Sequence, residues 1–182
     1  MGVRYNHTAK IGLSLTFLSL IQVFAPSFDV NYTSMHSLKK YLKKKGYDEI
    51  PLTLTKTNHL EFSAIINGTP GRFILDTGAS NTCIGFDKID FFNLKSKESK
   101  IKAAGAGATD METLTSKKNT IDIGKWRHKK LKIVLFDLVH VNTALISHDA
   151  EPVDGIIGAD VLNEGKAIID YKKKALYLKV KK

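Results

Sequence analysis

From residue 50 onward, apolar positions recur mostly with a period of two, the spacing of a half-buried strand. Leu52 and Leu54 alternate with threonines. Leu60, Phe62, Ala64 and Ile66 carry the next run, and Asn67-Gly68, a strong hairpin signal, follows it. Arg72–Leu75 resumes a strand and Thr82–Ile84 is another. Asp87–Asn93 reads as one or two helical turns with Asp87 as the cap. Residues 94–124 read as a long hairpin region, with two glycines in Lys100–Ala108, alternation over Met111–Thr115 and a strand at Thr120–Gly124. Leu131–Phe136 is a strand, Val141–Ile146 a short helix, and Val153–Ile157 a strand ending at Gly158. Ala159–Asn163 reads as a helix stopped by Gly165. Lys166–Asp170 and Ala175–Lys179 make a last hairpin across Lys172–Lys174. Many short strands with little helix predict a mainly β fold, a small barrel or sandwich with one or two short helices. No internal repeat is visible, so residues 50–182 read as one domain.

The pattern upstream is different. Arg4 and Lys10 precede an uncharged run, Ile11–Phe28. A positive start followed by a short apolar stretch reads as a secretory signal, and Ala25-Pro26-Ser27 places cleavage after Ser27. The alternatives are an uncleaved membrane anchor and a buried core helix. Ser14, Thr16, Ser19 and Gln22 weaken a run already borderline for spanning a bilayer. Residues 1–27 are therefore expected to be a signal peptide or anchor, and the chain to be exported, periplasmic or secreted. Residues 28–49 form a basic linker. Within it Leu38, Tyr41 and Leu42 sit at helical spacing among Lys39, Lys40, Lys43, Lys44 and Lys45, and Gly46 stops the helix. Such a helix is a spacer, packs on the domain by its narrow apolar stripe, or lies on an anionic membrane.

Composition narrows the function classes. Of 182 residues, 43% are apolar, enough for a packed core. Cys83 is the single cysteine, which excludes an internal disulfide framework and a cysteine-rich zinc site. Six scattered histidines form no metal-binding pair, so no metal is expected. The net charge of +10 lies in separate lysine clusters without interleaved aromatics, unlike a nucleic-acid platform. No nucleic-acid partner is expected; the clusters read as solvated surface or as contacts for a membrane or polyanion.

One arrangement carries chemistry. Phe73-Ile74-Leu75 delivers the backbone to the interior, and Asp76 then places a carboxylate at the strand end. Thr77 supplies a hydroxyl for a neighbouring backbone, and Gly78 lets the chain turn sharply with its amide near the carboxylate. A second run supports it: Asp154, Gly155, Ile156, Ile157 and Gly158, then Ala159–Leu162.

Ile74–Ser80 resembles the active-site loop of retropepsin-like aspartic proteases, and Asp154–Leu162 is similar to the element packed under that loop. The likeness covers about residues 50–180 and extends to the closing strands of bacterial exported members. It implies a small closed β-barrel of retropepsin type. It further implies an aspartic endopeptidase without cofactor, acting on a peptide or protein substrate. Asp76 would be the catalytic residue, Thr77, Gly78, Ala79 and Ser80 would shape its loop, and residues 154–158 would support it. A flap is expected over Ile101–Ser116, with Ala104, Gly105, Ala106, Gly107 and Ala108 at its tip. The alternative is a catalytically silent peptide-binding module on the same fold.

The mechanism needs two carboxylates sharing one proton, because two at hydrogen-bond range cannot both ionise cheaply. The chain offers one such motif. Asp154-Gly155 lacks the threonine, and Asp87, Asp90, Asp110, Asp122, Asp137, Asp149 and Asp170 lie in no matching context. The resemblance therefore implies a homodimer, one Asp76 from each copy, with Thr77 bonding across it. Two departures stand out. Retroviral relatives often pair an aspartate at the position of Ser80 with an arginine at that of Ala159, and both are gone here. Ala79 replaces a serine of pepsin-like loops, which implies a catalytic pair less biased to acid pH. Cys83 is expected to pack just beyond the loop as an inert thiol.

Overall fold

The computed structural model describes residues 38–98, 103–105 and 108–181, with side chains throughout except at 103–105 and 108–111. The expected signal or anchor lies outside the described residues, as do Ala106 and Gly107 of the expected flap tip.

The domain is mainly β and its barrel closes. Strand β3 (Leu60–Ile66) buries every second residue, Leu60, Phe62, Ala64 and Ile66, as its alternation requires. It turns at Asn67 (φ 49°) and Gly68 (φ 90°) into β4 (Thr69–Leu75). Two positive φ values suit the right-handed twist of a two-residue hairpin. Strand β4 runs parallel to β11 (Gly155–Ile157), which runs antiparallel to β5 (Cys83–Gly85). Strand β5 lies parallel to β10 (Trp126–Phe136), and β10 pairs antiparallel with β9 (Leu114–Ile123). Strand β9 returns to β3 through Ile65–Asp122 and Ile66–Ile121. The ring is thus β3-β4-β11-β5-β10-β9, six strands with no free edge. Strands β2 (Thr53–Leu54) and β6 (Ser96–Glu98) flank β3 and β9. Phe73, Ile84, Ile121, Ile123, Trp126, Ile133, Leu135 and Ile157 fill the interior. At about 1.5–3 kcal/mol for each fully buried large side chain, this cluster is the main stabilising term.

A polar latch holds the seam where β3 meets β9. Asn67 Nδ2 donates to Asn119 Oδ1 (3.0 Å) and to the Phe92 carbonyl (3.0 Å), and Asn67 Oδ1 accepts from Thr120 N (2.9 Å). The buried Asn119 in turn donates to Ser116 Oγ. The residue that makes the turn thus also ties it to the barrel.

A second sheet orders β1 (Tyr47–Pro51), β13 (Ala175–Lys179) and β12 (Ile168–Asp170). Strand β13 is covered on both faces. Leu176 and Leu178 join the barrel core, whereas Ala175 and Tyr177 pack with Leu42 of α1 (Leu38–Lys44). Helix α1 ends at Gly46, whose φ of 79° is the left-handed stop expected there. Helices α2 (Val139–Ile146) and α3 (Ala159–Glu164) are the two α-helices among the described residues of 50–182.

Three local expectations are corrected. Asp87 caps nothing: it lies inside a 3-10 turn, Phe86–Lys88, that starts from Gly85 without a side-chain cap. Strands β9 and β10 are ten and eleven residues long, beginning well before Thr120 and Leu131. Their first halves are hidden by exposed lysines, and Lys118 (φ 66°) and Lys130 (φ 68°) break the alternation. The β9–β10 register shifts between Lys129 and Leu131.

Candidate active site

Strand β4 ends at Leu75 and the chain leaves the barrel as a loop, residues 76–82, before re-entering at β5. Three ties to β11 and α3 hold this loop. Asp76 N donates to the Ile157 carbonyl (3.1 Å). Ala159 N donates to the Ala79 carbonyl (2.7 Å). At the far end Thr82, fully buried, donates from N (3.0 Å) and Oγ1 (2.8 Å) to the carboxylate of Asp160, and Thr82 Oγ1 accepts from Gly158 N (3.3 Å). Asp160 Oδ1 also accepts from Val161 N in the first turn of α3 (2.8 Å). A carboxylate with three donors, two of them backbone amides, is fully employed in fixing the loop.

Within the loop, Gly78 N donates to Asp76 Oδ1 at 2.7 Å. Asp76 is half-buried, while Thr77 and Gly78 are exposed. The carboxylate thus sits at the surface end of β4, anchored by one oxygen. Thr77 borders an open depression of about 310 Å³ lined also by Ala159, Leu162, Asn163, Lys166, Ala167 and Ile169.

The expected supporting run lies beneath this loop but does not bring its own carboxylate to Asp76. Gly155 pairs with Phe73 and Ile157 with Leu75, so Asp154 stands level with Arg72, about 13 Å down the strand at ~3.3 Å per residue. There Asp154 Oδ2 accepts from Arg72 N (2.9 Å), and Oδ1 pairs with Lys88 Nζ (3.0 Å). The hydrogen bond to Asp154 is the first cause that raises the Lys88 pKa. Asp154 closes the base of the β4–β11–β5 thread. Gly155 and Gly158 are there because nothing larger fits: a Cβ on Gly155 would lie 2.3 Å from the Cys83 carbonyl, and one on Gly158 2.7 Å from the Ala79 carbonyl.

Sequence reasoning missed Asp160 and Lys88. The sign available for Asp160 was an acid in the first turn of a helix that follows glycine; its partner is 78 residues away. Cys83 is half-buried rather than part of the core, and its thiol donates to the Asn81 carbonyl. Burial first, then the charges of Asp160 and Asp76, push its pKa up to about 12. It stays a neutral, unreactive thiol across the physiological range.

The expected flap region contains a hairpin. Strand β7 (Ala103–Gly105) pairs antiparallel with β8 (Ala108–Met111), with Ala103 opposite Met111 and Gly105 opposite Ala108. Among the described residues, no group of three His, Cys, Asp or Glu side chains is placed to hold a metal ion.

Comparison with known proteins agrees with this architecture. A retropepsin-like aspartic protease from Rickettsia conorii is 20% identical, with a TM-score of 0.51 over 74% of this chain and 92% of that one. The protease of EIAV, complexed with the inhibitor HBY-793, is 21% identical (TM-score 0.46), covering 66% and 92% of the two chains. The retroviral protease-like domain of Ddi1 from Leishmania major is 15% identical (TM-score 0.47), covering 69% and 90%. No curated protein matches. A family model described as aspartyl protease matches residues 62–161, more than half of the chain, from within β3 to within α3. The closed barrel is the fold of retropepsin-like aspartic proteases, and the chain belongs to the aspartyl protease family.

Proposed function

We propose that the chain is an aspartic endopeptidase whose working form is a homodimer, with the Asp76 carboxylates of two copies sharing one proton. The observation that carries the reading is the placement of Asp76. Its carboxylate is held by Gly78 N at the open end of β4, while Asp154 and Asp160 are engaged with backbone, Lys88 and Thr82. Of these three carboxylates Asp76 is the one left facing the open end of β4, and one so placed per chain matches a mechanism that needs two only if two chains meet. Thr77 supports the same view. It is exposed, its hydroxyl has no partner among the described residues, and it borders an open depression, lined by Ala159, Leu162, Ala167 and Ile169 with Asn163 and Lys166, on which a second copy can pack.

In the dimer the ionised carboxylate takes a proton from a bound water as the water oxygen attacks the peptide carbonyl carbon. The protonated carboxyl gives its proton to the carbonyl oxygen. The resulting diol collapses, the C–N bond breaks, and the nitrogen leaves with a proton returned by the pair. No covalent enzyme intermediate forms. The β7–β8 hairpin would close over the substrate as a flap. Location follows from the sequence: the Arg4, Lys10 and Ile11–Phe28 pattern supports export, with residues 1–27 as signal or anchor. The mature N-terminus should then lie near Phe28, or the protein should fractionate with membranes and its domain face away from the cytoplasm. A soluble, full-length cytoplasmic protein would refute both forms.

The concentration dependence of the rate tests the dimer. With a peptide library as substrate, initial rate should rise as about the square of protein concentration below the dimer dissociation constant and linearly above it. Strict linearity at every dilution, from a protein that sediments as a monomer, would mean a different second acid or no aspartic mechanism.

A further inference from the structure

The molecule carries a basic groove on the face where α1 meets the end of β13. It is open, about 630 Å³, and Lys43, Lys44, Lys45, Lys166, Lys179 and Lys181 line it. The acid in its wall, Glu164, is already paired with Lys181 and lies 3.5 Å from His128 Nδ1. The other five lysines have no carboxylate partner among the described residues. Helix α1, which supplies Lys43 and Lys44 to the groove, also carries two exposed large apolar side chains. Leu38 is 44% exposed and Tyr41 53% exposed, both on α1, and Lys45 Nζ lies 5.7 Å from the Tyr41 ring. Only Leu42 of the α1 apolar stripe is spent on the domain.

We propose that this face docks the domain on an anionic lipid bilayer, lysines at the headgroups and Leu38 and Tyr41 at the interface. Charge complementarity sets the sign of the partner: several free ammonium groups on flexible stems converge on no enclosed cavity, which fits a mobile array of headgroups. The exposed leucine and tyrosine separate a bilayer from a soluble polyanion, since a polyanion offers them no apolar phase and an interfacial helix needs one. The sequence adds proximity, because nine residues separate the uncharged run Ile11–Phe28 from Leu38. The docking surface shares no residue with the Asp76 loop, and of its lysines Lys166 alone also borders the depression beside Thr77.

Flotation of the full-length protein with vesicles tests it. Phosphatidylcholine vesicles report what the N-terminal run contributes, and vesicles with about 30 mol % phosphatidylglycerol add the charge. The readout is the ratio of the two partition coefficients. A lysine near an anionic surface contributes about five-fold to partitioning, so the wild-type ratio should be about ten or more and fall with salt. Replacing Lys43, Lys44, Lys45 and Lys166 by glutamine should lower the ratio about ten-fold or more. Replacing Lys172, Lys173 and Lys174, exposed at the opposite end of β13, should leave it within about two-fold of wild type. Leu38→Ser with Tyr41→Ser should lower the partition coefficient on the phosphatidylglycerol vesicles several-fold at unchanged charge. All these side chains are exposed, so unchanged melting temperatures verify the fold. A wild-type ratio near one overturns the proposal. So does an equal loss in the Lys172–Lys174 variant, which would assign binding to net charge alone. An unaffected Leu38/Tyr41 variant also overturns it, by marking the groove as a polyanion site.

Discussion

Asp76→Asn is expected to abolish peptide hydrolysis while leaving the protein folded. Asparagine has the shape of aspartate, and its Oδ1 still accepts the hydrogen bond from Gly78 N that now measures 2.7 Å. The loop keeps its ties at Ile157, Ala159 and Asp160, none of which uses the Asp76 side chain. Unfolding free energy should therefore change by no more than about 1 kcal/mol. Chemistry is another matter. An amide can neither take a proton from water nor hold the shared one, so a homodimer of the variant has no base. Loss of a group that acts as part of a unit typically costs about 10⁴-fold or more in kcat. Mixed with wild-type chains in excess, the variant should suppress activity beyond simple dilution, because a hybrid dimer has only one carboxylate. Peptide hydrolysis followed by mass spectrometry decides it. A rate within about ten-fold of wild type in the purified variant would sink the aspartic mechanism.

How much of this was legible in the sequence depended on how local each cause is. Strands β3 and β4 were readable because their alternation is strict and Asn67-Gly68 marks the turn within the same stretch. The Asp76 loop was readable for the same reason: an apolar strand, an acid and a glycine lie in adjacent positions. Strand β1 was read as linker up to residue 49. Tyr47, Asp48 and Glu49 show no alternation and Pro51 is a poor strand residue; what makes it a strand is β13, more than a hundred residues away. Helix α2 starts at Val139, two residues before the Val141–Ile146 pattern, where Asp137 Oδ1 accepts from Val139 N. The grip of Asp160 on Thr82 and of Asp154 on Lys88 had no local sign at all. Each joins residues brought together only by the threading of β11 between β4 and β5. Sequence thus exposes the residue that presents the chemistry more readily than the residues that hold it still.

That threading yields the largest expected effect on stability. Strand β11 lies parallel to β4 on one side and antiparallel to β5 on the other, and Gly155 sits between Phe73 and Ile84. In Gly155→Ala the new methyl would lie 2.3 Å from the Cys83 carbonyl oxygen, 3.0 Å from a Phe73 ring carbon and 3.1 Å from Ile84 Cγ1. The first of these neighbours is backbone in a closed barrel, so relief requires strands to part rather than a rotamer to turn. The cost should be about 4 kcal/mol or more, a large share of the stability of a domain this size. Gly158→Ala meets two backbone carbonyls, of Asn81 at 2.6 Å and Ala79 at 2.7 Å, but both belong to the Asp76 loop rather than to the barrel wall. Its effect should fall more on loop geometry, and so on activity, than on unfolding. Gly165→Ala is the control: its nearest contact is Leu178 Cδ2 at 2.7 Å, the end of a side chain that can shift, for about 1–2 kcal/mol. Denaturant titrations should rank the losses Gly155 above Gly158 above Gly165. A Gly155→Ala protein within about 1 kcal/mol of wild type would mean that β11 does not run this close to β5, and that the support assigned to the Asp76 loop is wrong.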